Sequence, residues 1–391
     1  MPSIMPIPRQ RLNPFPFFAA MRQKQPIAYD ELLKAWAVFR YADVKTVLHD
    51  PAAFGSDPRR LDRPARAATP LRPSLVSTDP PRHWALRSLV LQAFTPAMVA
   101  RQEPAIAESL NGLLDTAREA GGMEVIGDLA KPLTQRVIAS MMGVPVSDLP
   151  LIRRWSDAVY QAEGALQFAA DVTEMPVAVQ AEMADYFRDL IAARRRHPQA
   201  DLISALLTAE VGGEQLTEPE LVSFCAVLLF AGHVTTVNLI GNALWSLLEN
   251  PGQLARLRDQ PDLAAAAVEE TLRYRPGVLG VARVTLRDVE LGGRTIPAGE
   301  QIVAWTASAN RDETVFAEPD RFDIDRTAAA HLAFGHGIHF CMGNGLARLE
   351  GRLALQAVLA RLPDLQLAEK TLQPMDNPVL YGLQQLSVTC R

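Results

Sequence analysis

The chain of 391 residues is longer than the usual single-core domain and is 48% apolar and 21% charged, so a sizeable core is available and length by itself favours more than one domain. A net charge of −5, from 39 basic and 44 acidic residues, gives no bias toward nucleic acid. The three cysteines, Cys225, Cys341 and Cys390, are too few and too scattered for a disulfide framework and favour a reducing compartment.

The N-terminus, "MPSIMPIPRQRLNPFPFF", places three prolines in its first eight residues and arginines soon after. It carries neither a signal-peptide apolar region nor a membrane span, so a cytoplasmic protein without membrane association is expected. "AWAVFRY" (35 to 41) reads as extended, and apolar residues then recur three or four apart over 42 to 49. Residues 54 to 81, rich in Pro and Arg, show no period, and loops of that length tend to border ligands. Helical spacing returns over 82 to 96, 97 to 117, 133 to 142, 147 to 160, 175 to 195 and 201 to 210. No repeat, low-complexity tract or charge block divides the chain, so one continuous domain over 1 to 391 is expected, mainly α with small β-sheets.

The longest predicted helix opens with a capping box, Thr217 with Glu220, carries Pro219 in its first turn, and then runs without proline to Asn250, before Pro251 and Gly252 stop it. At about 1.5 Å per residue, roughly 33 residues reach about 50 Å, enough to cross a whole domain. Its apolar run is interrupted at "AGHVTT", Ala231 to Thr236. Gly232 there costs roughly 1 kcal/mol against alanine, and a buried His or Thr needs a hydrogen-bond partner. One reading is a close helix crossing at Gly232; the other is a groove for a ligand.

Helical spacing covers 252 to 274, and 284 to 305 reads as short strands with a Gly292-Gly293 turn. Next comes "HLAFGHGIHFCMGNGLARLEGRLALQAVLARL", in which Gly335, Gly337, Gly343 and Gly345 bracket Cys341. An amphipathic helix follows, with Leu346, Leu349, Leu353 and Ala357 expected on its buried stripe. A cysteine just before a helix N-terminus is favoured as thiolate. The glycines remove Cβ atoms where a flat group could lie against the backbone. A single thiolate, with no second Cys or His at zinc spacing, suits a metal whose other ligands come from a cofactor.

This loop resembles that of the cytochromes P450, Phe-x-x-Gly-x-x-x-Cys-x-Gly, met by Phe334, Gly337, Cys341 and Gly343. "EETLR" resembles the family's Glu-x-x-Arg pair as Glu270 and Arg273, with Arg321 of "PDRF" as the third member of a structural trio. The order of these motifs extends the resemblance over nearly the whole chain. It implies a P450 fold, with haem b between the long helix and the cysteine loop, and Cys341 as axial ligand of the iron. His83, Arg87, Arg283 and His339 resemble the propionate donors, and Phe334, Gly335, Gly343 and Ala347 the residues around the cysteine ligand. The expected activity is that of a monooxygenase acting on a mostly apolar small molecule, with electrons from a ferredoxin or flavodoxin-type donor and its reductase. Arg82, Arg101, Arg348 and Arg352 are candidates for meeting that donor.

By the same resemblance, Ala231 and Gly232 mark the oxygen groove and Thr235 the proton-relay alcohol. The family usually places an acid before that threonine, but here the residue is Val234, which can neither carry nor donate a proton. Three readings follow: a relay through Thr235, water and His233 or a substrate hydroxyl; use of hydrogen peroxide; or oxidative coupling without oxygen insertion. A haem-thiolate binding protein without turnover is a fourth. The segments 60 to 78 and 158 to 180, with Tyr160 and Phe168, are expected to form lids over the substrate.

Overall fold

The computed structural model describes residues 4–6, 10–31, 33–61, 70–71, 74–161, 176–327, 330–362, 364–368 and 371–390. Most of the expected lids, including residues 62–69 and 162–175 with Phe168, and the Tyr160 side chain, lie outside the described residues. The helices of the first half are α1 (Phe15–Lys24), α2 (Tyr41–His49), α3 (Arg82–Ala93), α4 (Pro96–Ala100), α5 (Glu103–Ala120), α6 (Lys131–Met142) and α7 (Leu149–Gln161). Those of the second half are α8 (Val177–Arg196), α9 (Leu202–Thr208), α10 (Glu218–Glu249), α11 (Pro251–Asp259), α12 (Ala264–Tyr274), α13 (Thr306–Ala309) and α14 (Asn344–Arg361). The strands are β1 (Ile27–Asp30), β2 (Ala35–Val38), β3 (Phe54–Gly55), β4 (Gly122–Glu124), β5 (Val281–Thr285), β6 (Val289–Leu291), β7 (Arg294–Ile296), β8 (Gln301–Ala304), β9 (Gln366–Leu367) and β10 (Ser387–Thr389). The expected class, mainly α with small sheets, is what forms.

Two compact units emerge from the described contacts. The first comprises Met1–Gly55, Ala107–Pro132 and Thr235–Arg391; the second, Ser56–Ile106 and Leu133–Val234. Helix α10 belongs to the second unit as far as Val234 and to the first from Thr235 onward.

In the first unit, a five-stranded sheet runs in the order β1-β2-β8-β5-β3, with β2 and β8 parallel and the other pairs antiparallel. The central strand β8, "QIVA", is buried along its whole length, as a strand covered on both faces requires. Ile27, Val38, Phe54 and Ile302 of the sheet share a core with Val44, Val47 and Leu48 of α2. The turn expected at Gly292-Gly293 joins β6 to β7 with φ of 51° and 75°, the left-handed values that a two-residue hairpin needs. Helix α14 packs on α12 where Gly351 leaves only 3.1 Å from an added Cβ to Val268.

In the second unit, α9 packs against α3 and α8. A buried ion pair ties Arg194 of α8 to Asp201, the cap of α9, and the Arg194 guanidinium also donates from Nη2 to the Gly143 carbonyl.

Some elements depart from expectation. Helix α1 forms over "FPFFAAMRQK", where proline in the first turn is tolerated because its missing N–H has no intrahelical partner. The 97 to 117 pattern divides into α4 and α5, and the 252 to 274 pattern divides where Pro261 and a short 3₁₀ turn separate α11 from α12. On α14 the buried face is Leu346, Glu350, Ala354, Leu355 and Val358, while Leu349, Leu353 and Ala357 stay half-buried. Close approach of α12 at Gly351 selects that face, at the cost of burying a carboxyl. Helix α10, apolar and long enough to cross a membrane, has 72% of its most apolar window buried within the protein, as a core helix does.

Candidate functional site

The cysteine loop is shaped by backbone demands. Gly335 and Gly337 have φ of 74° and 73°, and a Cβ on Gly337 would lie 2.5 Å from the Leu48 carbonyl oxygen. Neither position tolerates a side chain without strain. Gly343 and Gly345 differ: a Cβ on the first would sit 3.9 Å from Cys341 Sγ, and one on the second meets nothing within 4 Å. Gly335 and Gly337 thus make the turn, and Gly343 keeps the space beside the sulfur clear. The Cys341 N–H donates to the Phe334 carbonyl at 2.9 Å, closing the loop just before α14 begins at Asn344.

The loop has an unusual surface. Phe334, Ile338, Phe340 and Met342 are all only partly buried, although such side chains are normally interior. An apolar plane lying against the loop would cover them. No group of three His, Cys, Asp or Glu residues among the described residues could hold a bare metal ion, and the half-buried Cys341 sulfur fits an iron that brings its other ligands in a macrocycle. His339 ends the 3₁₀ turn Gly337–His339, and Arg283 lies on β5 with Nη1 on the Ala282 carbonyl. In the second unit, His83 is fully buried on α3, Arg87 follows one turn later and is partly exposed. All four are cationic or hydrogen-bonding groups suited to carboxylates. Of the residues expected around the cysteine, Phe334 accepts its N–H and Gly343 lies beside its sulfur, while Gly335 sits in the turn and the Ala347 N–H bonds the Gly343 carbonyl at 3.0 Å.

Helix α10 is capped as expected: Glu220 accepts from the Thr217 N–H at 3.0 Å and from its hydroxyl at 2.7 Å. Most of the helix is buried, yet Leu228, Ala231, Gly232 and Thr235, spaced three or four apart, are partly or well exposed. They form an open stripe on an otherwise interior helix. Val234 and His233 point away from it, each 1% exposed. His233 Nδ1 is 2.6 Å from the Thr134 hydroxyl, and its Nε2 is 3.5 Å from Gln135 Nε2, so the ring is engaged with α6. An added Cβ on Gly232 would stand 3.0 Å from Ile138 of α6. Close helix approach therefore accounts for this glycine, and the stripe itself is carried by Ala231 and Thr235.

The Glu270–Arg273 pair is present and buried, with bonds of 2.8 and 2.7 Å and side chains 3% exposed. Arg273 satisfies its remaining donors on the carbonyls of Asn310, Pro319 and Arg321. The expected third member is corrected: Arg321 offers only its carbonyl, and its guanidinium sits 57% exposed beside Glu318 and Asp323. Arg326 takes the place, its Nε 3.2 Å from Glu270 Oε1, because the turn after Phe322 carries position 326 back under α12. Two of the arginines considered for a donor protein already hold carboxylates: Arg82 binds Glu220 and Glu214, and Arg348 binds Glu269.

Sequence reading also missed Glu269. Burial would raise its carboxyl, but hydrogen bonds from His331 and Arg348 and the Arg348 charge outweigh that and hold it at about 2. No spacing rule links positions 269, 331 and 348, so only the fold brings them together.

Comparison with known proteins agrees with this geometry. A family model for cytochrome P450 matches residues 33–386. Cytochrome P450 109 of Bacillus spizizenii is 40% identical over 384 residues, covering 97% of this chain and 92% of that protein. Among solved structures, CYP109Q5 from Chondromyces apiculatus has a TM-score of 0.89 at 39% identity, covering 98% of this chain and 97% of that one. CYP109E1 from Bacillus megaterium, in complex with testosterone, has a TM-score of 0.87 at 36% identity, covering 97% and 99%.

Proposed function

The chain belongs to the cytochrome P450 family, an oxidoreductase that binds haem b, and on that premise we propose that Cys341 would hold the haem iron of an enzyme inserting one atom of O2 into a mostly apolar natural product. The observation that carries the assignment is the half-buried Cys341 on an apolar, partly exposed loop, shaped by left-handed glycines and leading into α14. Haem supplies the activation of O2 and the hydrogen abstraction.

The chain's own residues do the rest. Cys341, as thiolate, would hold the haem iron and donate electron density to it. His83, Arg87, Arg283 and His339 bind the cofactor's carboxylates with charge-assisted hydrogen bonds. Ala231 leaves room along the open stripe of α10, and Thr235 holds and passes a proton there. Val234 contributes no proton, and the His233 ring is bound to Thr134, so delivery relies on Thr235 and solvent or a substrate hydroxyl. The complex of CYP109E1 with testosterone supports a rigid, apolar substrate of about steroid size. Electrons come from a ferredoxin or flavodoxin-type donor with its reductase, and residues 1 to 391 act as a single cytoplasmic P450 domain.

The test is the absorption spectrum of the reduced carbon monoxide complex. A thiolate-type Soret band that Cys341→Ala abolishes is the expected result; a band unchanged by that substitution ends the assignment. The peroxide-using and coupling readings keep one specific observation in their favour, the apolar Val234; the first predicts oxygenated product from hydrogen peroxide without an electron donor, the second a coupled product that carries no inserted oxygen.

A further inference from the structure

A chain of hydrogen bonds, closed by the Ala333–Phe334 peptide link, leaves the cysteine from its carbonyl and returns to its N–H. The Cys341 carbonyl accepts from Asn344 Nδ2 at 2.6 Å, and Asn344 Oδ1 accepts from Arg348 Nη1 at 2.6 Å. Arg348 grips Glu269 of α12 with two bonds, Nε to Oε1 at 2.6 Å and Nη2 to Oε2 at 3.1 Å. Glu269 Oε2 lies 3.2 Å from His331 Nε2, and His331 Nδ1 accepts the Ala333 N–H at 3.3 Å. With Nδ1 as acceptor, the ring proton sits on Nε2 and is donated to Glu269. The next residue is Phe334, whose carbonyl accepts the Cys341 N–H at 2.9 Å and whose ring lies under the Arg348 guanidinium at 4.6 Å.

The magnitudes argue against a role in stability alone. The Glu269 and Arg348 side chains are 33% and 36% exposed, and pairs that meet solvent to that extent add little to folding, about 0–1 kcal/mol. A bidentate fork does fix geometry, however, and groups behind a metal ligand set its orientation and electron donation. We propose that Glu269, Arg348, Asn344 and His331 are positioning residues that hold the Cys341 backbone from both sides, anchor it to α12 and thereby set how the sulfur meets the iron. The inference rests on Cys341 being the axial ligand.

The experiment compares the holoenzyme with Glu269→Gln, Arg348→Met, the double variant and Asn344→Ala, reading haem content, reduction potential and the rate at which the thiolate-type carbon monoxide band is lost. Asn344→Ala leaves the Glu269–Arg348 pair intact, so it keeps the test open if the charge variants fold poorly. Each single variant is expected to speed loss of the band about tenfold and to shift the potential, and the double variant to be no worse than the more affected single, as members of one chain behave. Unchanged band stability and potential in Asn344→Ala and Glu269→Gln overturn the proposal, even if their unfolding midpoints fall. Losses that simply add in the double variant overturn it too. A wild-type protein without the thiolate band would instead end the assignment of Cys341.

Discussion

Replacing Arg326 and Arg321 separately by alanine distinguishes the observed ion-pair trio from the one suggested by sequence. Arg326 is 15% exposed and makes four hydrogen bonds: one to Glu270 Oε1 and others to the carbonyls of Ala317, Glu318 and Arg321. Loss of the bond to the carboxylate costs about 1.5–3 kcal/mol, and the carbonyls, which can turn to water, cost less. Glu270 retains Arg273, so the larger penalty for a stranded buried charge does not apply. The total is about 3 kcal/mol. Arg321, 57% exposed with partners at 3.4 and 3.7 Å, should cost within about 0.5 kcal/mol. At about 2.1 cal/mol/K per residue, 391 residues give an unfolding entropy of roughly 0.8 kcal/mol/K. The expected fall in melting temperature of the holoenzyme is therefore about 4 °C for Arg326→Ala and under about 1 °C for Arg321→Ala. Arg326→Lys should recover only part, since an ammonium cannot reproduce the fork. An equal fall in both variants, or a larger one for Arg321→Ala, refutes the reasoning.

Four further outcomes are expected. Val234→Asp should raise the coupling of electron use to product while lowering stability, because position 234 is 1% exposed and a carboxylate there loses its hydration; unchanged coupling in a correctly folded variant counts against the relay through Thr235. Gly337→Ala should lose most bound haem, through about 1–2 kcal/mol of left-handed strain and the approach to the Leu48 carbonyl, whereas Gly345→Ala should load normally. Burial pushes the Glu350 carboxyl well above its ordinary value of 4.5, and its Oε2 has no partner among the described residues. The folded state then holds that proton more tightly than the unfolded one, so stability falls as pH rises from about 4.5 toward the raised value, by about 1.4 kcal/mol per pH unit. Urea midpoints at pH 5.5 and 8 should differ less in Glu350→Gln than in wild type, and an equal difference would exclude Glu350 as the source. Thr134→Val should release the His233 ring from α6; a carbon monoxide stretching frequency that moves would place the ring within reach of the iron's distal side, while the expectation is no movement.

Much of this protein was legible in its sequence because the signals are local. The capping box at Thr217, the proline that ends α10, the Gly292-Gly293 hairpin and the glycines around Cys341 each depend on a few neighbouring φ/ψ values or on one helix turn. Glu270 and Arg273 could be paired because positions three apart share a helix face. The three-dimensional fold alone decided the rest. Which arginine completes that pair depends on the path of the chain from Pro319 to Arg326, and the spacing of residues there does not encode it. Likewise, the buried face of α14 follows from the approach of α12 at Gly351, which overrides the apolar stripe and encloses Glu350. The circuit through Glu269, Arg348 and His331 joins positions 62 and 79 residues apart. Hydrogen-bond capacity is a property of a residue and can be read from its type; which partner fills it is a property of packing, and only the folded chain supplies the partner.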